Sequence, residues 1–293
     1  MAYLRIVDDR RRELIFSRPP ARIVSLVPSD TLNVFALGRT VVGRTRYCEA
    51  PAEIAVVGGT KDVDVDAVAA LEPDLILANQ EENSRVHLEQ LAQRGWPVLI
   101  AFPRTVAEGL SHLARLARVL APSGTASGGA AGIASARKLI AAGLAMHEEA
   151  EAAVRTVRPL RVFVPIWMDP LMTINGQTFI SDALRLAGCV NVFADRERRF
   201  PLAADLGEAI PTRAGSRDTR YPRITLAEVV ERKPEVVLLP DEPHPFSSAD
   251  AEVFRKALPN ARIVFCGGRD LSWYGAQSIE GIPRLRKLVD TLR

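Results

Sequence analysis

The sequence predicts an α/β protein made of two similar Rossmann-like lobes, each built on a parallel sheet. Short apolar segments alternate with amphipathic stretches, which is typical of parallel strands covered by helices. Three segments of the first half recur in the same order in the second half. One long helical stretch, with no strand pattern inside it, separates the two halves and is expected to join them rigidly.

The first lobe is predicted to span residues 1–125 and to open with a hairpin. Its arms are residues 3–7 and 13–16, on either side of a charged turn. Strands are expected in RIVSLVPS from Arg22, in Leu75–Ala78, and in WPVLIAF from Trp96. Helices are expected to begin near Ser29 or Asp30 as caps, at Asp64, at Asn83 or Ser84, and at Thr105.

The connecting helix is predicted at residues 126–158, where Ala, Lys, Glu and Arg dominate. At 1.5 Å per residue, roughly 30 residues span about 45 Å. The second lobe is then residues 159–293, and its segments repeat those of the first. Glu72–Pro73 and Lys233–Pro234, for example, are separated by 233 minus 72, or 161 residues.

Composition excludes several classes of function. Lys and Arg number 38 and Asp and Glu 35, so the net charge of +3 gives no basis for nucleic-acid binding. No apolar run approaches the ~20 residues that cross a bilayer, so we expect no membrane span. The start of the chain lacks a signal-peptide pattern, which leaves a cytoplasmic protein or a mature exported form. A monomer is expected.

The ligand site is predicted at the loops that follow the strands. In open parallel sheets, ligands bind beyond the carboxyl ends of the strands, and two lobes face to face would form a cleft there. The predicted ligand-binding residues are Ser29, Arg46, Tyr47, Cys48, Asn79, Gln80, Glu81, Arg104, Trp167, Asp241, Glu242, Trp273 and Tyr274.

Several of these residues have a structural alternative. Trp167 and Trp273 could equally fill the core, and Cys48 could pack beneath its loop. Trp96 is expected to be structural. Cys189 and Cys266 are expected to be free thiols acting as small hydrophobic side chains.

Catalysis finds little support in the sequence. A P-loop, a GxSxG elbow and a GxGxxG motif are all absent, so no catalytic residue and no intrinsic cofactor is predicted. The enzyme alternative would use Asp241, Glu242 and His244 as acid–base groups. His244 could also bind a metal, although it lies in a Pro-rich loop; the other histidines, His87, His112 and His147, are expected at a surface or interface.

RIVSLVPSDTLNVFALG, GRTRYCEAP, VDAVAALEPDLILANQEEN and RYPRITLAEVVERKPEVVLLPD together resemble the helical-backbone (class III) solute-binding proteins of ABC importers. Members of that family bind cobalamin, iron–siderophore complexes or haem. The resemblance covers nearly the whole chain, and it implies little hinge motion, a metal-chelate ligand and an importer permease as partner. It also implies an extracytoplasmic location; a cytoplasmic carrier or sensor is the alternative if Met1 is the native start.

The resemblance also implies one acidic docking residue in each lobe, matched here by Asp66 and Glu228. Each has a structural alternative, because Glu228 could form a capping box with Thr225 and Asp66 lies in the first turn of a helix. At the docking position of the first lobe, the family usually has Glu where this chain has Asp66. The repeat offset of 161 residues also maps Asp66 onto Ala227, one residue before Glu228.

A corrinoid is the ligand that the resemblance favours, with a ferric siderophore or haem as the alternative. Tyr47 and Trp273 match aromatic walls around a corrin ring, whereas Arg46 replaces a His that some relatives carry. An anionic siderophore would instead be held by arginines, for which Arg46, Arg104 and Arg199 are available.

Overall fold

The computed structural model describes residues 4–121 and 127–293, which fold into two compact units. Unit 1 takes its described residues from Met1–Pro103, Ala107–Ala145 and Tyr274–Ile279. Unit 2 consists of Arg104–Val106, Met146–Trp273 and Glu280–Arg293. The predicted α/β class with a parallel sheet in each lobe is confirmed. Tyr3 of the predicted hairpin and Ala126 of the predicted helix lie outside the described residues.

Unit 1 opens with the predicted hairpin and continues into a parallel sheet. The hairpin pairs β1 (Leu4–Val7) with β2 (Glu13–Phe16) in antiparallel register. Five parallel strands follow in the spatial order β5-β4-β3-β6-β7. Their bounds are β3 (Ile23–Ser25), β4 (Gly43–Arg44), β5 (Ala55–Val56), β6 (Leu75–Asn79) and β7 (Val98–Ala101). Every residue of β3, β6 and β7 is buried, as expected for strands covered on both faces.

The helices of the first half are α1 (Pro28–Ala36), α2 (Val65–Ala70), α3 (Arg85–Gln93), α4 (Val106–Val119) and α5 (Ser127–Val154). The predicted cap of α1 was wrong, because the helix already begins at Pro28 and neither Ser29 nor Asp30 lies before it. Pro is favoured in the first helical turn, where its missing N–H is not needed. Asp64 caps α2 as predicted and accepts hydrogen bonds from the backbone of Asp66 and Ala67.

Unit 2 contains a second parallel sheet in the order β11-β8-β12-β13. These strands are β8 (Leu160–Phe163), β11 (Cys189–Asn191), β12 (Val236–Pro240) and β13 (Arg262–Cys266). A separate antiparallel pair is formed by β9 (Pro165–Met168) and β10 (Leu171–Thr173). The helices are α6 (Phe179–Leu186), α7 (Leu202–Asp205), α8 (Leu226–Arg232), α9 (Ser248–Ala257), α10 (Gly268–Ser272) and α11 (Ala276–Asp290).

The internal repeat is visible in both topology and backbone. Strands β4-β3-β6-β7 and β11-β8-β12-β13 follow the same order, with the first strand of each repeat inside its sheet. Glu72 and Lys233, which precede the matched prolines, both adopt left-handed backbone, with φ of 43° and 47°. Proline disfavours the right-handed helical conformation in the residue before it, so α2 ends two residues before Glu72 and α8 ends one residue before Lys233.

Helix α5 is 28 residues long, about 42 Å at 1.5 Å per residue. Its residues up to Ala145 belong to unit 1 and those from Met146 belong to unit 2. The sequence assigned all of residues 159–293 to the second lobe, whereas Tyr274–Ile279 cluster with unit 1. The boundaries proposed from the sequence, 125/126 and 158/159, stay predictions. Among the described residues, no helix is both long and apolar enough to cross a membrane.

Candidate functional site

The loop after β4 presents an arginine and a tyrosine at the surface of unit 1. The Arg46 guanidinium donates to both carboxylate oxygens of Asp62, at 3.1 and 2.8 Å, and lies 5.7 Å from the ring centroid of Tyr47. The hydrogen bond to Asp62 raises the pKa of Arg46. Tyr47 is 59% exposed. This pair therefore offers an exposed aromatic face beside an arginine whose charge is already balanced.

Two of the predicted ligand residues in unit 1 are buried. Cys48 is buried, its Sγ lies 3.1 Å from the Thr45 hydroxyl, and burial raises the pKa of the thiol. Ser29 is only 1% exposed, in the first turn of α1. The burial of Cys48 matches the packing alternative, and a ligand contact by either residue stays a prediction.

The loop after β6 is shaped by a buried asparagine. The Asn79 side-chain oxygen accepts hydrogen bonds from the backbone N–H of Glu81 at 2.7 Å and of Glu82 at 3.3 Å. Gln80 accepts one from Arg10 Nε at 3.1 Å. Lys61 donates to the Glu81 carbonyl. Asn79 thus holds the turn, while Gln80 and Glu81 are partly exposed on it.

Unit 1 contains a buried polar network that the sequence did not predict. Asp30 accepts hydrogen bonds from His112 Nε2 at 2.9 Å, from Asn33 at 3.1 Å and from the Tyr274 hydroxyl at 3.0 Å. Arg115 lies 2.9 Å from the other ring nitrogen of His112. Because arginine only donates, that nitrogen accepts, and Nε2 donates to Asp30.

His112 was expected at a surface or interface, and this was wrong, since its side chain is fully buried. Tyr274, a predicted ligand residue, is also buried, and burial raises the pKa of its phenol. The helical pattern around His112 gave no signal of its partner, because Asp30 is 82 residues away in the sequence. Half-buried His87 and His147 are closer to the expectation.

In unit 2, an exposed tryptophan follows the predicted strand end. Trp167 is 45% exposed, and its indole N–H donates to the Asp169 carbonyl at 3.0 Å. Its ring lies 5.2 Å from that of His244, which in turn lies 4.6 Å from Phe246. These three rings form an aromatic row whose outer member, Trp167, is open to a ligand.

The loops after β12 and β13 are tied together in unit 2. The Gly268 N–H donates to Asp241 at 2.6 Å, and the Ser272 hydroxyl donates to Glu242 at 3.1 Å. The Trp273 side chain is hydrogen-bonded to the same Glu242 carboxyl, and burial raises the pKa of Glu242. Trp273 is buried, with the Arg269 guanidinium 4.4 Å from its ring centroid.

The predicted residues therefore fall into two groups. Unit 1 holds Ser29, Arg46, Tyr47, Cys48, Asn79, Gln80, Glu81 and Tyr274, whereas unit 2 holds Arg104, Trp167, Asp241, Glu242 and Trp273. Exposed or partly exposed members are Arg46, Tyr47, Gln80, Glu81, Arg104, Trp167, Asp241 and Glu242. The inter-lobe cleft expected from the sequence stays a prediction.

Residues 21–256 match the periplasmic binding protein family. This chain belongs to that family. It is 28% identical over 230 residues to a vitamin B12-binding protein of Yersinia pestis (strain Pestoides F), covering 74% of this chain and 69% of that protein. A vitamin B12-binding protein of Yersinia pseudotuberculosis (serotype O:1b, strain IP 31758) matches to the same extent.

Solved structures show the same fold. The periplasmic vitamin B12 binding protein of Vibrio cholerae matches with a TM-score of 0.71 and 18% identity, over 94% of this chain and 98% of that one. The periplasmic haem-binding protein of Roseiflexus sp. RS-1 matches with a TM-score of 0.67 and 18% identity, over 93% and 99%. Relatives of this type bind solutes, so the chain is a binding protein rather than an enzyme.

The two predicted docking residues of this binding protein have different surroundings. The side chain of Asp66 is 85% exposed and is paired with Arg94 at 2.8 Å. Glu228 is 25% exposed, and its carboxylate accepts from Arg196 Nε at 2.9 Å. Thr225 does cap α8 through the Glu228 N–H, but no reciprocal bond from the Glu228 carboxylate makes it a capping box.

A metal centre finds no ligands in the described part of the chain. Residues 4–121 and 127–293 contain no cluster of three or more His, Cys, Asp or Glu side chains that could hold an ion. His244 has one carboxylate near it, with Asp250 at 3.9 Å.

Proposed function

We propose that this binding protein captures a corrinoid, or a closely related metal chelate, at the loops that follow its strands. The observation that carries the proposal is the exposure of two aromatic side chains: Tyr47 in the loop after β4 of unit 1, and Trp167 in β9 of the hairpin that follows β8 of unit 2. Exposed aromatic rings suit a large, flat, partly apolar ligand. The likeness to vitamin B12-binding proteins of Yersinia supports the same ligand class.

A corrinoid is favoured over a ferric siderophore by the state of the arginines. Of the three arginines available for an anionic chelate, Arg46 is already paired with Asp62 in bidentate geometry. Arg199 lines a cavity of unit 2 together with Arg198 and Phe200, and this cavity contains none of the predicted strand-end residues. An anionic siderophore needs free arginine forks, and these two residues do not supply them at the strand ends.

Haem is the second candidate ligand, and one observation favours it. His244 is partly exposed next to Trp167, and a neutral imidazole is a common ligand of haem iron. The solved structures with this fold include proteins named as haem-binding, among them those from Roseiflexus and from Vibrio cholerae. The proposal thus predicts a chelate with a flat macrocycle in either case.

The test is titration of the purified protein with cyanocobalamin, haemin and a ferric siderophore, followed by calorimetry and Trp fluorescence. We expect a micromolar or tighter Kd for cyanocobalamin. Trp167→Ala should weaken binding at least tenfold, whereas Trp96→Phe, two residues before β7, should leave it unchanged. Tight haemin binding that is lost in His244→Ala would assign haem instead. Binding of none of the three ligands would overturn the proposal.

We also propose that the bound chelate is delivered to the permease of an ABC importer from outside the cytoplasm, as the family implies. Asp66 supports this proposal, since its exposed carboxylate at the start of α2 is accessible to a partner's arginine. Cell fractionation of the native host tests the location. Recovery of the protein in the cytoplasm would favour the carrier or sensor alternative.

A further inference from the structure

Residues 192–225 of unit 2, which we name the arginine-rich connection, link β11 to α8. The four-residue helix α7 is the one helix within this segment. The connection contains seven arginines and no lysine, against five acidic residues, which gives 7 minus 5, or +2. Its arginines are Arg196, Arg198, Arg199, Arg213, Arg217, Arg220 and Arg223.

The buried carboxylate of this connection, Asp205, accepts several hydrogen bonds. Asp205 accepts from Arg196 Nη1 at 3.0 Å, from the Arg199 N–H at 2.9 Å and from the Arg223 N–H at 2.8 Å. Arg196, itself 5% exposed, also donates to Glu228. Asp205 and Arg196 therefore hold the connection together, and their charges balance each other without neutralising the other arginines.

Five arginines of this connection, which lies wholly within the described residues, lack a carboxylate partner: Arg198, Arg199, Arg213, Arg217 and Arg223. The Nε atoms of Arg198 and Arg223 are buried, and in that described part of the chain they make no hydrogen bond. Burial lowers the pKa of Arg198, and the nearby charge of Arg223 lowers it further. These cations repel each other in a partly desolvated setting, which an anion would relieve.

A cavity of about 480 Å³, a size that suits a small molecule, lies beside two of these arginines. Arg198 and Arg199 line it together with Phe200. The guanidinium groups of Arg198 and Arg217 lie over the ring of Phe200, 4.9 and 4.0 Å from its centroid. This contact restricts the positions of the two arginine side chains.

Acidic residues of the lining do not cancel this charge. The lining contains two acidic residues, Asp195 and Glu197. Asp195 is paired with Arg232 at 2.5 Å, so Glu197 is the remaining acidic residue beside Arg198 and Arg199. Glu197 is exposed, so water screens its charge more than it screens a buried one. The cavity lining thus keeps an excess of positive charge.

We propose that this cavity binds a small multivalent oxyanion of the phosphate or carboxylate class. Guanidinium groups match such anions by paired, parallel hydrogen bonds, and the planar forks of Arg198 and Arg199 would supply them. None of the residues that line the cavity is among the strand-end residues of the proposed chelate site. The oxyanion site is therefore independent of the chelate, and its test does not rest on the chelate's identity.

Isothermal titration with pyrophosphate and with citrate, at ionic strength held constant with NaCl, tests the site. We expect one equivalent to bind with a submillimolar Kd. Arg198→Met keeps the side-chain stem on Phe200 but removes the donors, and it should raise Kd at least tenfold, as should Arg199→Met. Arg262→Met, an equal change of charge at an exposed position of β13, should leave Kd unchanged.

Absence of binding to the wild-type protein would overturn the site, as would equal affinity in Arg198→Met, Arg199→Met and Arg262→Met. Circular dichroism and thermal unfolding establish that each variant is folded. If Arg198→Met fails to fold, the Arg199→Met variant, at an exposed position, still tests the oxyanion site. Cyanocobalamin binding, measured on the same samples, should not change, so failure of the chelate proposal and failure of the oxyanion site remain distinguishable.

Discussion

The hydroxyl of Tyr274 donates a hydrogen bond to Oδ2 of the buried Asp30 over a distance of 3.0 Å. The two residues are 244 positions apart in the sequence. Next to Tyr274, Gly275 adopts φ of +79° and packs against Asn33, and the Ala276 N–H donates to Asn33 at 2.8 Å. The segment Tyr274–Ile279 is thereby fastened to helix α1 of unit 1 by side-chain hydrogen bonds.

Tyr274→Phe should destabilise the protein, because it removes one donor from a carboxylate that has no access to water. A hydrogen bond to a charged group contributes about 1.5–3 kcal/mol, so we expect a loss of that order. Urea unfolding followed by circular dichroism measures it. Tyr47→Phe, which removes a hydroxyl at an exposed position, is the control and should change the unfolding free energy little. Equal midpoints for the two variants would contradict the role assigned to Tyr274.

The stability contributed by Glu242 should depend on pH. Burial raises its pKa above the ordinary 4.5, so the folded state holds this proton more tightly than the unfolded state does. The contribution is fully present below pH 4.5 and is lost as the pH rises through the folded-state pKa. Glu242→Gln should therefore unfold at a higher temperature than the wild type at pH 7, with the difference shrinking toward pH 4.

Thermal unfolding at a series of pH values, with Glu231→Gln as the control at an exposed position of α8, measures this dependence. The control should follow the wild-type curve at every pH. Parallel curves for Glu242→Gln and the wild type would show that the carboxyl of Glu242 is not desolvated in the folded protein.

Asp66→Asn should impair delivery to the importer without weakening ligand binding. Asp66 is exposed and pairs with the surface residue Arg94, so the change should cost under about 1 kcal/mol of stability. Uptake of the labelled chelate by cells that express the importer is the measurement, with the ligand Kd measured in parallel. Glu89→Gln, an exposed acid on α3, is the matched control. Normal uptake by Asp66→Asn would remove this residue from docking.

Glu228→Gln should behave differently, because Glu228 pairs with the buried Arg196. The change removes one of the negative charges that pair with the Arg196 guanidinium, which is 5% exposed. Reduced stability should therefore accompany any loss of uptake. Unfolding curves of Asp66→Asn and Glu228→Gln, compared side by side, separate docking from folding. A Glu228→Gln variant as stable as the wild type would contradict this distinction.

Gly59→Ala should disturb the surface around Tyr47. A Cβ at this position would lie 2.2 Å from Asp62 Oδ1 and 2.4 Å from Arg46 Nη1, so the ion pair has to move. Because both side chains are exposed, the expected loss of stability is below about 1 kcal/mol, whereas chelate affinity should fall roughly tenfold. Gly132→Ala in α5, where a Cβ meets nothing within 4 Å, is the control. Unchanged affinity in Gly59→Ala would place the ligand away from Tyr47.

Much of the fold could be predicted because its signals are local. Apolar runs, proline and glycine positions and the repeated Glu72–Pro73 and Lys233–Pro234 pairs indicated most of the parallel strands and the two lobes, whereas β5, β10 and β11 were not predicted. Tyr47 and Trp167 are both exposed, but Trp167 lies within the antiparallel strand β9 and not in a loop after a parallel strand. The predicted cap of α1, Ser29 or Asp30, lies two or three residues after the observed cap Val27, because Pro28 was taken as an end of the strand rather than as the first residue of the helix.

The sequence by itself determined the two-lobed α/β class, the long helix and the loops on which polar and aromatic residues lie, since periodicity and turn residues act over a few positions. Only the tertiary structure decided which of those residues are buried and paired: Tyr274 with Asp30, Arg196 with Asp205, and Cys48 beneath its loop. The physical reason is that a buried polar group must find a partner wherever the folded chain provides one. Partners 82 or 244 residues away leave no trace in a local pattern.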